Sequence, residues 1–334
     1  MYFAYIESTI STKSIFYKLL KKGGNKMKKA MVIGIDNYPE CPLTGCINDA
    51  TNIANILAKN EDGSPNFDVK LKTDICTKSQ LKGLITECFS GDATVALFYF
   101  SGHGYIDSLG GYLVTPDFTN NDYGVSLQEI LTIINQSNCK DKIIILDSCH
   151  SGFMGNININ GQSTTTINEG VTILTSSRSS ESSVETNGQG LFTSLLIEAL
   201  KGGAADITGH ITPGGIYSYI DKALGPWEQR PVFKTNVNRF TSLRKVIPQV
   251  DISIIRNICR YFPDEHFKFP LDPSFEPTNS PSESNMAVEP YVKSENAKIF
   301  SDLQELESIG LVIPIGERHM YYAAMHSKYC GLTA

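Results

Sequence analysis

Lys142-Ile143-Ile144-Ile145-Leu146-Asp147-Ser148-Cys149-His150-Ser151-Gly152 is the stretch from which the architecture follows. Its apolar run is too short for a buried helix and rich in β-branched residues, so it predicts a strand covered on both faces, as in a parallel sheet. The run stops abruptly in an acid, a thiol and an imidazole. A second stretch, Phe98-Tyr99-Phe100-Ser101-Gly102-His103-Gly104, repeats the pattern and ends in a histidine between glycines. In doubly wound sheets, side chains just beyond the carboxyl ends of the strands meet the ligand. Two strands of this kind therefore present a base and a nucleophile at one edge.

Working outward, strands are predicted at Ala30–Ile35, Asp68–Thr73, Thr94–Ser101, Lys142–Asp147, Val171–Ser176 and Val232–Thr235. Helical spacing fills the intervals. Asn48–Asn60 sets Ala50, Ile53, Ala54, Ile56 and Leu57 on one side behind a capping-type Asn48, and further helices are predicted at Lys78–Cys88, Ser126–Asn135, Gly190–Leu200 and Gly214–Leu224. The alternation predicts an α/β fold, a mostly parallel six-stranded sheet between helices. Met154–Glu169 and Ser177–Gln189 are rich in Asn, Gly, Ser and Thr and are expected to be mobile surface loops beside the site.

The alternation stops near Pro248. The chain is accordingly divided into an extension at 1–27, a main domain at 28–245 and a small carboxyl-terminal domain at 246–334. Met27 stands directly before the first strong strand and is a candidate start, with a short regulatory or expression-derived arm the equal alternative. The last domain contains a Pro/Ser-rich flexible linker at about 263–290. After it come a helix carrying Ile299, Phe300, Leu303, Leu306 and Ile309, then a hairpin at Leu311–Pro314 and Met320–Ala323. Together with a helix at Ile252–Tyr261 this resembles a winged-helix module. Residues 246–334 hold 7 Lys/Arg against 12 Asp/Glu, a balance that favours a protein partner over DNA.

Composition narrows the remaining classes. A formal charge of −6 leaves no excess of cations for general nucleic-acid binding. No apolar run reaches the roughly 18 residues of a membrane-spanning helix. The eight cysteines are scattered without a CxxC pair or a secretory signal ahead of them, which predicts reduced thiols in the cytoplasm. No His/Cys/Asp cluster has zinc spacing, and no GxxxxGK[ST] loop supports nucleotide hydrolysis. No cofactor is expected.

An unperturbed thiol is only a few per cent ionised at neutral pH, and a neighbouring imidazole makes it reactive by taking its proton. Cys149 is thus the candidate nucleophile and His103 the candidate base. The flanking glycines let backbone amides approach a carbonyl oxygen, and the amides of Gly104 and Cys149 are assigned to the oxyanion. His150, beside the nucleophile, is given a structural role.

Ser-Gly-His-Gly at 101–104, followed by Asp-Ser-Cys-His-Ser-Gly at 147–152, resembles the catalytic pair of the metacaspase and bacterial caspase-like cysteine peptidases. Val32–Tyr38 resembles their first strand, Cys46–Ala50 their first helix start and Gly190–Thr193 their post-strand helix, so the likeness spans roughly 28–240. It implies the caspase-hemoglobinase fold and cleavage after a basic residue, Arg before Lys. The matching pocket positions are Cys46, Asp49, Ser101 and Asp147. It also raises the question of calcium activation, but Tyr105–Tyr112 offers a single Asp, too few oxygen ligands for that ion. Regulation is expected from loops, a partner or self-cleavage, with Arg178 as the cleavage point. The competing reading is a catalytically silent caspase-like scaffold that recruits a partner through the last domain. For Asp49 and Asp147 the bland alternatives are a helix-start carboxylate and a strand-end cap.

Overall fold

Residues 27–73, 75–148, 156–159, 162–165, 167–176, 185–186, 189–225, 230–316 and 328–332 are described by the structure, a computed structural model. Cys149, His150, Arg178 and residues 1–26 and 320–323 lie outside the described residues. The chain divides into two compact units, one running to Ala205 and including His210–Val246, the other made of Asp206–Gly209 and the chain from Ile247 on.

The first unit begins β1 (Lys28–Gly34), α1 (Cys46–Ala58), β2 (Asp68–Lys72), α2 (Lys78–Phe89) and β3 (Val95–Ser101). Three short strands follow, β4 (Gly104–Asp107), β5 (Gly110–Thr119) and β6 (Asp122–Ser126), then α3 (Leu127–Asn135) and β7 (Asp141–Asp147). After β8 (Asn156–Ile159), β9 (Gln162–Thr165), β10 (Val171–Thr175), β11 (Glu185–Thr186) and β12 (Gln189–Gly190) come α4 (Leu191–Glu198), β13 (His210–Ile211), α5 (Pro213–Ala223), β14 (Val232–Asn236) and β15 (Arg244–Lys245). The six predicted strands form one sheet in the order β14-β10-β7-β3-β1-β2. All pairs are parallel except β14 against β10.

Both faces of this sheet are buried, because successive side chains on each strand point to opposite sides. Met31, Ile33, Phe98, Phe100, Ile144 and Leu146 pack with Leu81 and Ile85 of α2 and Ile130 and Ile134 of α3. Val32, Leu97, Tyr99, Ile143 and Ile145 pack on the other face with Ile53 and Leu57 of α1, Leu196 of α4, and Ile216 and Ile220 of α5. The result is a three-layered α/β fold, and the continuous apolar runs in the sequence are its consequence.

Local signals fix the helix starts. Thr77 with Gln80, and Ser126 with Glu129, form capping boxes for α2 and α3. α1 departs from the expectation that Asn48 caps it. It begins two residues earlier behind Gly45, and its first amides are received by Asp36: Cys46 N donates to Oδ1 at 2.8 Å and Ile47 N to Oδ2 at 3.3 Å. Gly34 permits this close approach, since a Cβ there would lie 2.2 Å from the Cys46 carbonyl oxygen.

The loop expectations also need correction. The 154–169 segment contains the antiparallel pair β8 and β9, and the 177–189 segment reaches the short pair β11 and β12. Asn and Thr side chains do not prevent ladder formation between extended runs close in sequence.

The second unit comprises α6 (Ile252–Tyr261), β16 (Phe269–Leu271), α7 (Ser294–Ser308), β17 (Val312–Gly316) and β18 (Lys328–Leu332), its sheet ordered β16-β18-β17 and antiparallel. Phe262, Leu271, Phe275, Leu303, Leu306 and Val312 form its core. The stretch 263–290, expected to be a flexible linker, is instead packed. It carries β16 and the core residue Phe275, and buried Asn279 ties its turns by donating from Nδ2 to the carbonyls of Pro273, Val288 and Pro290 at 2.9, 2.9 and 3.0 Å. Pro-rich composition misled because a buried amide supplies the bonds that regular structure would have supplied.

Candidate active site

Strand register brings the candidate residues to one edge. Gly34 on β1 is level with Ser101 on β3, and Ser101 is level with Asp147 on β7. Ile35 N donates to Ser101 O and Gly102 N to Asp147 O, at 3.0 and 3.3 Å, so the three strand ends stay tied one residue past the row. In the sequence, His103 follows Ser101 by two residues and Cys149 follows Asp147 by two.

His103 is half-buried and held on several sides. Its backbone N–H donates to the Tyr38 hydroxyl at 3.1 Å, that hydroxyl donates to Val114 O at 3.2 Å, and Val114 N donates to His103 O at 2.9 Å. The imidazole lies edge-on to the Tyr38 ring with centroids 4.5 Å apart. Burial pushes the Tyr38 phenol well above its ordinary range, so it remains a neutral donor. Nε2 lies 2.7 Å from Cys41 O. A carbonyl only accepts, so Nε2 carries the hydrogen and Nδ1 carries the lone pair. A base is thus oriented through its far nitrogen. Gly102 makes room for this arrangement, because a Cβ there would meet the Tyr38 hydroxyl at 2.6 Å and the Phe100 ring at 2.8 Å.

The Val114-to-His103 bond also defines the phase of the β4–β5 ladder. Gly104 and Leu113 then form a pair that exchanges no ladder bonds, so the Gly104 amide points away from β5.

Cys46, Asp49, Ser101 and Asp147 are brought together and are all buried. Cys46 opens α1 against Gly34, Asp49 follows one turn later, and Ser101 and Asp147 are cross-strand neighbours. The Cys46 thiol is pushed well above its ordinary range, chiefly by burial and further by the negative charges of Asp36, Asp147 and Asp49, while a hydrogen bond with Ser101 opposes the rise. It is a poor nucleophile and a neutral lining group. Thr193 of α4 donates from Oγ1 to Asp147 Oδ2 at 2.6 Å, and the Tyr99 hydroxyl, 2.6 Å from that Oγ1, donates to it in turn. Burial and the charges of Asp147 and Asp49 raise the Tyr99 phenol, which keeps this chain of donors protonated. The cluster is therefore rich in buried carboxyl groups, and Thr193 holds Asp147 in one orientation.

Sequence reasoning did not assign roles to Asp36, Tyr38, Cys41, Tyr99 or Thr193. Asp36, Tyr38 and Thr193 lay inside the quoted resemblance segments, but Cys41 acts through its backbone oxygen, which leaves no side-chain signal. Among the described residues no three His, Cys, Asp or Glu side chains are grouped to hold a metal ion. In the segment after His103, Asp107 Oδ1 accepts from Leu109 N at 2.7 Å and Gly110 N at 3.0 Å, an Asx-type turn role.

The caspase-domain family model matches residues 27–231. Among solved structures, the chain is similar to protein GSU0716 from Geobacter sulfurreducens, at 16% identity over 66% of this chain and 97% of that one, with a TM-score of 0.48. It is also similar to caspase-1 from Spodoptera frugiperda, at 14% identity over 66% of this chain and 91% of that one, with a TM-score of 0.48. No curated protein matches it.

Proposed function

The chain belongs to the caspase-domain family of cysteine peptidases, and on that premise we propose that it is an endopeptidase that cuts proteins after Arg, and less readily after Lys, through a Cys149–His103 dyad. The observation that carries this reading is the pairing of Ser101 on β3 with Asp147 on β7, since His103 and Cys149 each follow one member of that pair by two residues in the sequence. The imidazole Nδ1 takes the thiol proton of Cys149, and the sulfur bonds to the scissile carbonyl carbon. The amides of Gly104 and Cys149 hold the resulting oxyanion. The imidazolium, steadied by Cys41 O, returns the proton to the leaving amine as the C–N bond breaks. Water then attacks the thioester by the same route, freeing the thiol.

Asp49 and Asp147 supply the specificity. Two carboxylates with little water around them bind a guanidinium through charge-assisted and bidentate hydrogen bonds, for which an ammonium is a poorer match. Their burial, with Thr193 already fixing one of the oxygens, supports a pocket complementary to a planar cation.

The reading includes turnover without calcium, because the Tyr105–Tyr112 stretch offers a single Asp, and self-cleavage at Arg178. The second unit is read as a winged-helix-like protein-interaction module, supported by its helix–strand–helix–strand–strand order and acidic balance. Cleavage of a peptide library by the wild-type chain and by Cys149→Ala, each with calcium and with EDTA, tests the proposal. Cuts after Arg in both media, absent from the variant, are expected. Undiminished cutting by the variant removes the nucleophile assignment.

A further inference from the structure

A recess of ≈ 690 Å³ lies at the opposite edge of the sheet from His103. Its wall includes Lys28 and Val95, which begin β1 and β3, Asp141, which begins β7, Gly170 just before β10, and Val237–Ser242 just after the antiparallel β14. Ligands of open α/β sheets ordinarily sit at the carboxyl edge, so this amino-edge recess is separate from the peptidase site.

The wall carries three cations, Lys28, Lys140 and Arg239, and none has a carboxylate partner among the described residues. Lys28 is half-buried, yet its Nζ donates only to neutral oxygens, Ser242 O at 2.7 Å and Asn66 Oδ1 at 3.1 Å, beside the Phe67 ring. Burial lowers its pKa. Of the two acids in the wall, Glu169 has Oε1 occupied by Asn238 Nδ2 at 2.8 Å, and Asp141 has other interactions. Phe240, 39% exposed, offers an aromatic surface in the same wall, its own packing being against Phe233 at 5.8 Å.

Three cations that form no ion pair among the described residues outnumber the two carboxylates of the wall, and with an aromatic surface beside them they suit a ligand that brings negative charge and a stacking face together. The volume falls in the range of roughly 300–1,000 Å³ typical of small-molecule sites. We propose that this recess binds a small anion carrying a planar ring, of about mononucleotide size.

Isothermal titration of the full-length chain with AMP tests this, with adenosine as the ring without the anion and ribose 5-phosphate as the anion without the ring. AMP is expected to bind at least about tenfold more tightly than either fragment, and Lys140→Glu with Arg239→Glu to weaken it at least about tenfold. Both side chains are exposed, so the unliganded melting temperature of the double variant should match that of the wild type. Raising the salt concentration in the wild type must weaken AMP as well, which checks the charge independently of any variant. Absence of AMP binding at millimolar concentration overturns the proposal. So does equal binding of AMP by the double variant, or a fragment that binds as tightly as AMP.

Discussion

The two edges of the central sheet carry opposite charge under different degrees of cover. At the carboxyl edge Asp36, Asp49 and Asp147 surround a buried thiol, and Asp36 and Asp147 have dedicated donors in the α1 amides and Thr193. At the amino edge Lys28, Lys140 and Arg239 line an open recess together with Asp141 and Glu169, and among the described residues none of the three cations forms an ion pair. Net charge, −6 for the whole chain, predicts neither edge. Ligand preference is set by where charges converge and by how much water remains around them, because the same pair interacts more strongly in a low-dielectric pocket than at the surface. The carboxyl edge is built for one geometry, whereas the amino edge offers a field.

The sharpest way to break this contrast is to remove the base. His103→Ala should lower turnover of an Arg peptide by about a thousandfold or more. The amino-edge variant Lys140→Glu with Arg239→Glu should leave that turnover within about twofold. Equal losses in the two variants would show that the edges are not functionally distinct. The next largest effect is expected from Asp147→Asn, which keeps the shape of the recess and removes one charge. Truncating one side of a buried charge pair costs about 2–5 kcal/mol, so kcat/KM for the Arg peptide should fall by roughly thirtyfold or more. A loss no larger than that of the amino-edge variant would withdraw the specificity assignment.

The six-stranded sheet was legible because β-branched and aromatic runs buried on both faces have few alternative fates, and its boundaries in sequence and structure agree within two residues. The β4–β6 sheet was not legible. Its strands carry polar residues and glycines, and their buried hydrophobic side chains are Leu113, Val114 and Val125, too few for a periodic signal. At the site, the gathering of Cys46, Asp49, Ser101 and Asp147 came from resemblance rather than from spacing, since only the β1–β3–β7 register unites them. The supports of His103 were invisible for a different reason. A backbone carbonyl at Cys41 and a phenol at Tyr38 act by position, and any residue type could have stood in the first place.

Gly34 links the register to the recess and predicts a smaller, mixed effect. A Cβ would meet the Cys46 carbonyl oxygen at 2.2 Å, so Gly34→Ala must push the start of α1 away from β1. Overpacking of this kind costs roughly 1–3 kcal/mol. Thermal unfolding should show a lower midpoint, by about 2–4 °C for each kcal/mol in a unit of this size. Because Cys46 and Asp49 ride on that helix start, KM for the Arg peptide should rise as well. A fall in stability with KM unchanged would separate α1 placement from substrate binding.

The smallest effect lies midway between the two edges. Lys234 occupies the centre of β14, level with Ile173 of β10, and burial brings its pKa down from 10.5 to about 8. Its folded pKa is thus below its unfolded one. Below pH of about 8 the side chain is charged in both states and the full desolvation penalty applies. Between about 8 and 10.5 the unfolded chain binds the proton more strongly than the folded chain, so stability contributed at this position rises with pH. Replacement by Met, similar in length and uncharged, should therefore stabilise the protein at pH 7, by roughly 1–2 kcal/mol once solvent around the half-exposed ammonium is allowed for. Urea unfolding of Lys234→Met and wild type across this range checks it: the gain should shrink as pH climbs from 8 towards 10.5. A gain that persists unchanged would assign the stabilisation to packing, and would show that charge in the middle of the sheet, unlike charge at its edges, has no measurable consequence.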